Sequence, residues 1–127
     1  MKRNIKKDKK IERETEGNPM PTYNKLIRNK IPQIIKSNGK TPTTRILNED
    51  EYIEELCKKT QEELTEYLEA KTNPDKLEEL SDLLELINAL AEYEGTTLEE
   101  INSIRKKKAE ERGNFSDRVF LIEVTDN

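Results

Sequence analysis

The sequence predicts an all-α fold, a bundle built around two long antiparallel helices. Three observations predict it. Residues 48–71 and 73–95 both repeat apolar side chains at the 3.6-residue helical period, and a short polar turn separates them. Each stretch opens on residues that cap helices, and the second closes on Gly95. A third stretch from Thr97 to Gly113 has the same punctuation.

Composition sets the scale. The chain has 127 residues, 31% hydrophobic and 39% charged, which fits one domain with a thin core. Burial against a second copy is therefore expected, giving a homodimer or higher homo-oligomer. The formal charge of −4 disfavours nucleic acid as a partner, because phosphate contacts need a basic face. No run of 18 apolar residues is present, so no membrane span is expected. The basic N-terminus lacks the apolar segment of a signal peptide, and the chain reads as cytoplasmic. The one cysteine, Cys57, permits no internal disulfide. Histidine is absent, which removes a histidine base, a His-ligated zinc and the Glu-x-x-His pattern of di-iron bundles. Hard oxygen ligands remain, and these suit magnesium or manganese.

Residues 1–19 are charged and almost without apolar content, and they read as a solvated, disordered tail ahead of a domain at 20–127. Seven Lys/Arg against four Asp/Glu give the tail +3 and leave −7 for the domain. Pro32 suits the first turn of a short helix that Asn38-Gly39 would stop. The β-branched stretch from Pro42 to Leu47 reads as extended. Asn48 caps the first long helix, whose first turn holds Glu49, Asp50 and Glu51 where the helix dipole favours acids.

On that helix Tyr52, Ile53, Leu56, Thr60, Leu64 and Tyr67 form an apolar stripe. Glu63 lies at its edge and Glu66 flanks it, whereas Glu62 points nearly opposite. The second long helix begins near Asn73-Pro74 and carries a wide apolar arc from Leu77 to Tyr93, so burial on more than one side is expected. It reads as the central helix and as a subunit contact. Glu79 falls inside the arc, in line with Leu83, Leu86 and Leu90, and Asp82 sits on its edge. Thr97 and Glu100 predict a capping box for the third long helix. Its inner stripe passes from Leu98 and Ile101 to Arg105, Lys108 and Arg112. The tail from Phe115 to Val124 reads as a packed extended strand.

Two carboxylate pairs then stand out. Glu63 and Glu66, like Glu79 and Asp82, are three apart and therefore neighbours on a helix surface. Antiparallel packing across the Lys71–Asp75 turn would bring the pairs face to face. Both pairs lie toward apolar stripes, where an uncompensated acid is costly. A divalent cation relieves that cost, so the four acids predict a magnesium or manganese site. Cations opposite it, drawn from Lys25, Arg28, Lys30, Arg105, Lys108 and Arg112, would clamp a polyphosphate. The simpler reading of Arg105, Lys108 and Arg112 is that a helix C-terminus favours positive charge. Cys57 reads as a small core residue, and no glycine-rich phosphate loop is present.

The motif Glu62-Glu63-x-x-Glu66, followed by Glu79-x-x-Asp82, resembles the metal-binding signature of the MazG-like all-α nucleotide pyrophosphohydrolases. That superfamily includes phosphoribosyl-ATP pyrophosphohydrolase and the dimeric dUTPases. The opening YNKLIRNKIPQII and the ending KKKAEERGNF are similar to a house-cleaning subgroup of it, and the likeness covers about residues 20–124. It implies an oligomeric helical bundle that hydrolyses nucleoside triphosphates, non-standard or damaged ones, to monophosphate and pyrophosphate. It also implies that Glu63, Glu66, Glu79 and Asp82 are the metal ligands and catalytic acids. One departure is visible, since Asn29 stands where the subgroup usually has aspartate. The alternatives are a phosphoribosyl-ATP pyrophosphohydrolase and a non-catalytic helical module that docks its central helix on a partner.

Overall fold

The structure, a computed structural model, describes residues 22–126. The charged segment 1–19 lies outside the described residues. Among those described there are four helices and no strand: α1 (Ile31–Ser37), α2 (Glu49–Glu69), α3 (Asn73–Tyr93) and α4 (Leu98–Arg112). None is long and apolar enough to cross a membrane.

Local chemistry explains each boundary. Pro32 sits in the first turn of α1, where its missing N–H costs nothing. Asn48 caps α2 with a complete capping box: its Oδ1 accepts from the Glu51 N–H at 2.9 Å, and the Glu51 carboxylate accepts from the Asn48 N–H at 3.4 Å. The cap of α3 is Thr72 rather than Asn73, with Oγ1 accepting from the Asp75 N–H at 3.3 Å. At Thr97 the structure shows the forward capping bond, from the Glu100 N–H at 3.1 Å. Helix α3 ends in a Schellman motif, with Gly95 N–H donating to Glu92 O and Thr96 N–H to Ala91 O. Gly95 takes φ +79° there, a conformation that side-chain-bearing residues rarely adopt.

The main contact of the fold joins α2 to α3. It is antiparallel, because the start of α2 meets the end of α3 and the reverse. The Tyr52 and Tyr93 rings lie 6.3 Å apart at a tilt of 53°. At the other end, Lys76 Nζ donates to Tyr67 O at 3.0 Å and sits 4.7 Å above the Tyr67 ring. Helix α4 leans on α3 alone among the helices. Leu56, Ala70, Leu86 and Ala91 are the buried apolar residues of the described region.

Three expectations about burial change. Leu64, placed on the inner stripe by the helical period, is exposed, and Cys57 is exposed too. Both lie roughly 80–120° around α2 from the Leu56–Glu63 line, toward the edge of what a single partner helix covers. The stretch from Phe115 to Val124 forms no strand, and its apolar side chains lie in the open. Val119 to Ile122 is a consecutive apolar run, so no single face can bury it.

Candidate metal centre

The same hairpin that makes the fold makes the site. Glu63 lies two helical turns from Leu56 on the line facing α3, and it is 2% exposed. Glu79 occupies the matching line of α3 and is 1% exposed, with Asp82 three residues on at 7%. These two glutamates are the largest fully buried side chains of the described region. One carboxylate oxygen from each of Glu63, Glu79 and Asp82 lies within 4.8 Å of the others.

Three carboxylates this close repel by on the order of 3 kcal/mol for each pair at an effective dielectric of about 20. Two cations at the rim offset part of that. Arg28 Nη2 donates to Asp82 Oδ1 at 2.8 Å, joining the opening segment to α3 across 54 residues. Lys59 Nζ lies 3.9 Å from Glu63 Oε1, one turn back on α2. The trio is all hard oxygen, as magnesium and manganese prefer. Its spread is near that of one coordination shell, whose oxygens lie about 3–5 Å apart for ligands at roughly 2.1–2.6 Å from the ion. The donor set therefore fits a divalent cation.

Glu66 is half-buried and stands outside this trio. Of the six basic residues proposed to clamp phosphate, Arg28 is ion-paired to the cluster. Lys25 instead sits 5.6 Å over the Tyr23 ring, and Arg105 Nε donates to Asn102 Oδ1 at 2.8 Å. Lys30, Lys108 and Arg112 are exposed. Lys59 escaped the sequence reading, although its spacing of four from Glu63 is the signal that finds it. The open cleft between α3 and α4, lined by Leu84, Leu98, Glu99 and Asn102, holds none of the acid trio.

No family model matches the chain, and no solved structure matches it. An uncharacterized protein of Mycolicibacterium smegmatis (strain ATCC 700084 / mc(2)155) is similar to it, 42% identical over 53 residues. That match covers 42% of this chain and 54% of the relative, so the chain spans about half the relative's length.

Proposed function

We propose that this chain is a divalent-metal-dependent hydrolase that cleaves nucleoside triphosphates, non-standard or damaged ones, to monophosphate and pyrophosphate. The observation that carries the reading is the buried convergence of Glu63, Glu79 and Asp82 in a seam that apolar residues would ordinarily fill. The likeness of the acidic motifs to the MazG-like pyrophosphohydrolases supports the choice of substrate and reaction.

In this reading Glu63, Glu79 and Asp82 hold magnesium, or manganese in its place. A bound ion supplies neutralisation of phosphate charge and a lowered pKa for the attacking water. Glu66, half-buried beside the trio, accepts the proton of the water that attacks the α-phosphorus as pyrophosphate leaves. Arg28 and Lys59 at the rim hold phosphate oxygens with charge-assisted hydrogen bonds. The chain acts as a homo-oligomer, joined through the apolar side of the hairpin that bears Leu64, Leu68, Leu77, Leu80, Leu84 and Ile87, all exposed in the single chain.

The test is pyrophosphate release from a panel of ordinary and modified nucleoside triphosphates and phosphoribosyl-ATP, with magnesium, manganese or chelator. Release that needs the metal, and that falls at least about a hundredfold in Glu79→Ala, is the expected result. Equal release in Glu79→Ala overturns the assignment of the site.

The exposed apolar side also favours a second reading, a non-catalytic module that docks on a helical partner. A folded protein that binds no metal and releases no pyrophosphate from any substrate favours that module.

A further inference from the structure

The cation nearest the acid cluster is bonded to one of its three members. Arg28 donates to Asp82 Oδ1 at 2.8 Å, and Asp82 belongs to the trio whose oxygens converge. A carboxylate oxygen engaged by a guanidinium has less electron density to offer a metal. We propose that Arg28 is a displaceable counter-ion: it holds Asp82 while the centre lacks a metal, and a divalent cation taking Asp82 turns its guanidinium outward to grip the substrate's phosphate. The inference rests on the reading of Glu63, Glu79 and Asp82 as metal ligands, and deepens it.

Three features of the molecule support the exchange. First, two of the three carboxylates already hold a cation, Asp82 with Arg28 at 2.8 Å and Glu63 with Lys59 at 3.9 Å. A divalent ion added there repels both cations and competes for the same carboxylate oxygens, so a resident cation loses much of its electrostatic reason to stay. Second, the two cations are not equally free to leave. Lys59 projects from within α2, next to the glutamate it pairs with, and its side chain is 23% exposed. Arg28 comes from a stretch without regular secondary structure, just before α1, and its side chain is 42% exposed. A long side chain at the surface can swing without breaking a helix, so the arginine is the one that yields. Third, guanidinium binds carboxylate and phosphate with the same planar fork. The group released from Asp82 thus needs no new chemistry to hold a phosphate oxygen. Metal and triphosphate would then bind with positive coupling, each favouring the arrangement the other requires.

The test is direct titration of Mn²⁺, with bound and free ion distinguished by paramagnetic resonance, into the full chain without nucleotide. Four variants are compared with the natural sequence: Arg28→Ala, Arg28→Gln, Glu79→Ala and Lys36→Ala. Lys36 is an exposed lysine on α1, and it controls for the loss of one positive charge. Either Arg28 substitution should tighten Mn²⁺ binding by about three- to tenfold, the range of a charge-assisted pair with one partly exposed member. Lys36→Ala should leave it unchanged. In the hydrolysis assay the same Arg28 variants should show a raised KM for nucleotide at saturating metal.

Unchanged or weaker Mn²⁺ binding in a folded Arg28→Gln overturns the proposal and leaves the metal reading intact, provided that Glu79→Ala still abolishes binding. Equal tightening in Lys36→Ala also overturns it, by reducing the effect to general charge. Absence of Mn²⁺ binding to the natural chain removes the metal reading and this inference together.

Discussion

On each long helix, two adjacent residues sit in the surroundings that the other would ordinarily prefer. Glu63 is 2% exposed and Leu64 is 50% exposed; Glu79 is 1% exposed and Leu80 is 45% exposed. The acid faces the partner helix and the leucine faces outward. One residue step turns a side chain by about 100°, and antiparallel pairing carries that step to the same side of the hairpin on both helices. Leu64 and Leu68 of α2 therefore join Leu77, Leu80, Leu84 and Ile87 of α3 in one apolar side. The hairpin is thus acidic in its seam and oily on one flank. The two regions call for different things. Buried carboxylates need a compensating cation, and exposed leucines need a cover. The lone chain sets two cations, Arg28 and Lys59, against three buried carboxylates and leaves the leucines uncovered, which is why metal and second copy enter the proposed function together.

The largest expected effect lies on the flank. Leu77→Lys with Leu80→Lys puts charge into the proposed subunit contact, and in a symmetric dimer each change counts twice. About half of each leucine is exposed in the single chain, so four lost burials at roughly 1 kcal/mol each should weaken association by about a thousandfold. Sedimentation velocity over a dilution series reads the change. A natural chain that is already monomeric at high concentration breaks the comparison, because the flank then has no homotypic cover.

A smaller effect belongs to the seam. Glu79→Leu removes one acid and leaves Glu63 and Asp82 facing Lys59 and Arg28, two charges of each sign. Removing one of three mutually repelling carboxylates relieves repulsion on the order of 3 kcal/mol for each pair it made at an effective dielectric of about 20, and a leucine suits the apolar seam. In the presence of chelator the variant should melt several degrees higher while losing hydrolysis. A lower melting temperature assigns Glu79 a structural role and removes the argument that the acid is kept at a cost for chemistry.

The helices were legible in the sequence because their signals are local. Asn48, Pro32, Pro74 and Gly95 each act within a turn of themselves, and the structure uses every one. The convergence of Glu63, Glu79 and Asp82 was legible for a related reason: spacing of three places two acids together on α3, and one short turn sets the register of its partner. What escaped needs information that no helical period carries. Leu64 falls within the apolar stripe on a helical wheel, yet one packed neighbour covers only part of that stripe, so its exposure depends on where α4 and the tail do not go. Arg28 reaches Asp82 across 54 residues from a segment without a period, so its pairing follows from the path of the chain. The Phe115–Val124 stretch mixes apolar and polar residues and so reads as a packed strand, whereas packing also requires a surface to receive it.

The smallest expected effect is at the entrance to α2, away from both regions, and it measures how far ordinary surface chemistry holds the hairpin. Asn48→Ala removes one half of the capping box and should cost about 1 kcal/mol. Glu51 supplies the other half. Its carboxyl is held below its ordinary value of 4.5, first by the hydrogen bonds from Arg45 at 2.8 and 3.2 Å and then by the Asn48 N–H. A carboxyl lowered in the folded state binds its proton more readily when unfolded, so its stabilisation is complete above 4.5 and is lost as pH falls through the folded value. Glu51→Gln keeps an oxygen for the Asn48 N–H but no longer titrates. The natural chain should therefore lose more melting temperature than Glu51→Gln on acidification below 4.5, and added salt should shrink the gap, because the pair is exposed and screened. Identical acid limbs would show that the Arg45–Glu51 pair adds nothing to α2, leaving Asn48 alone to start the helix that carries Glu63.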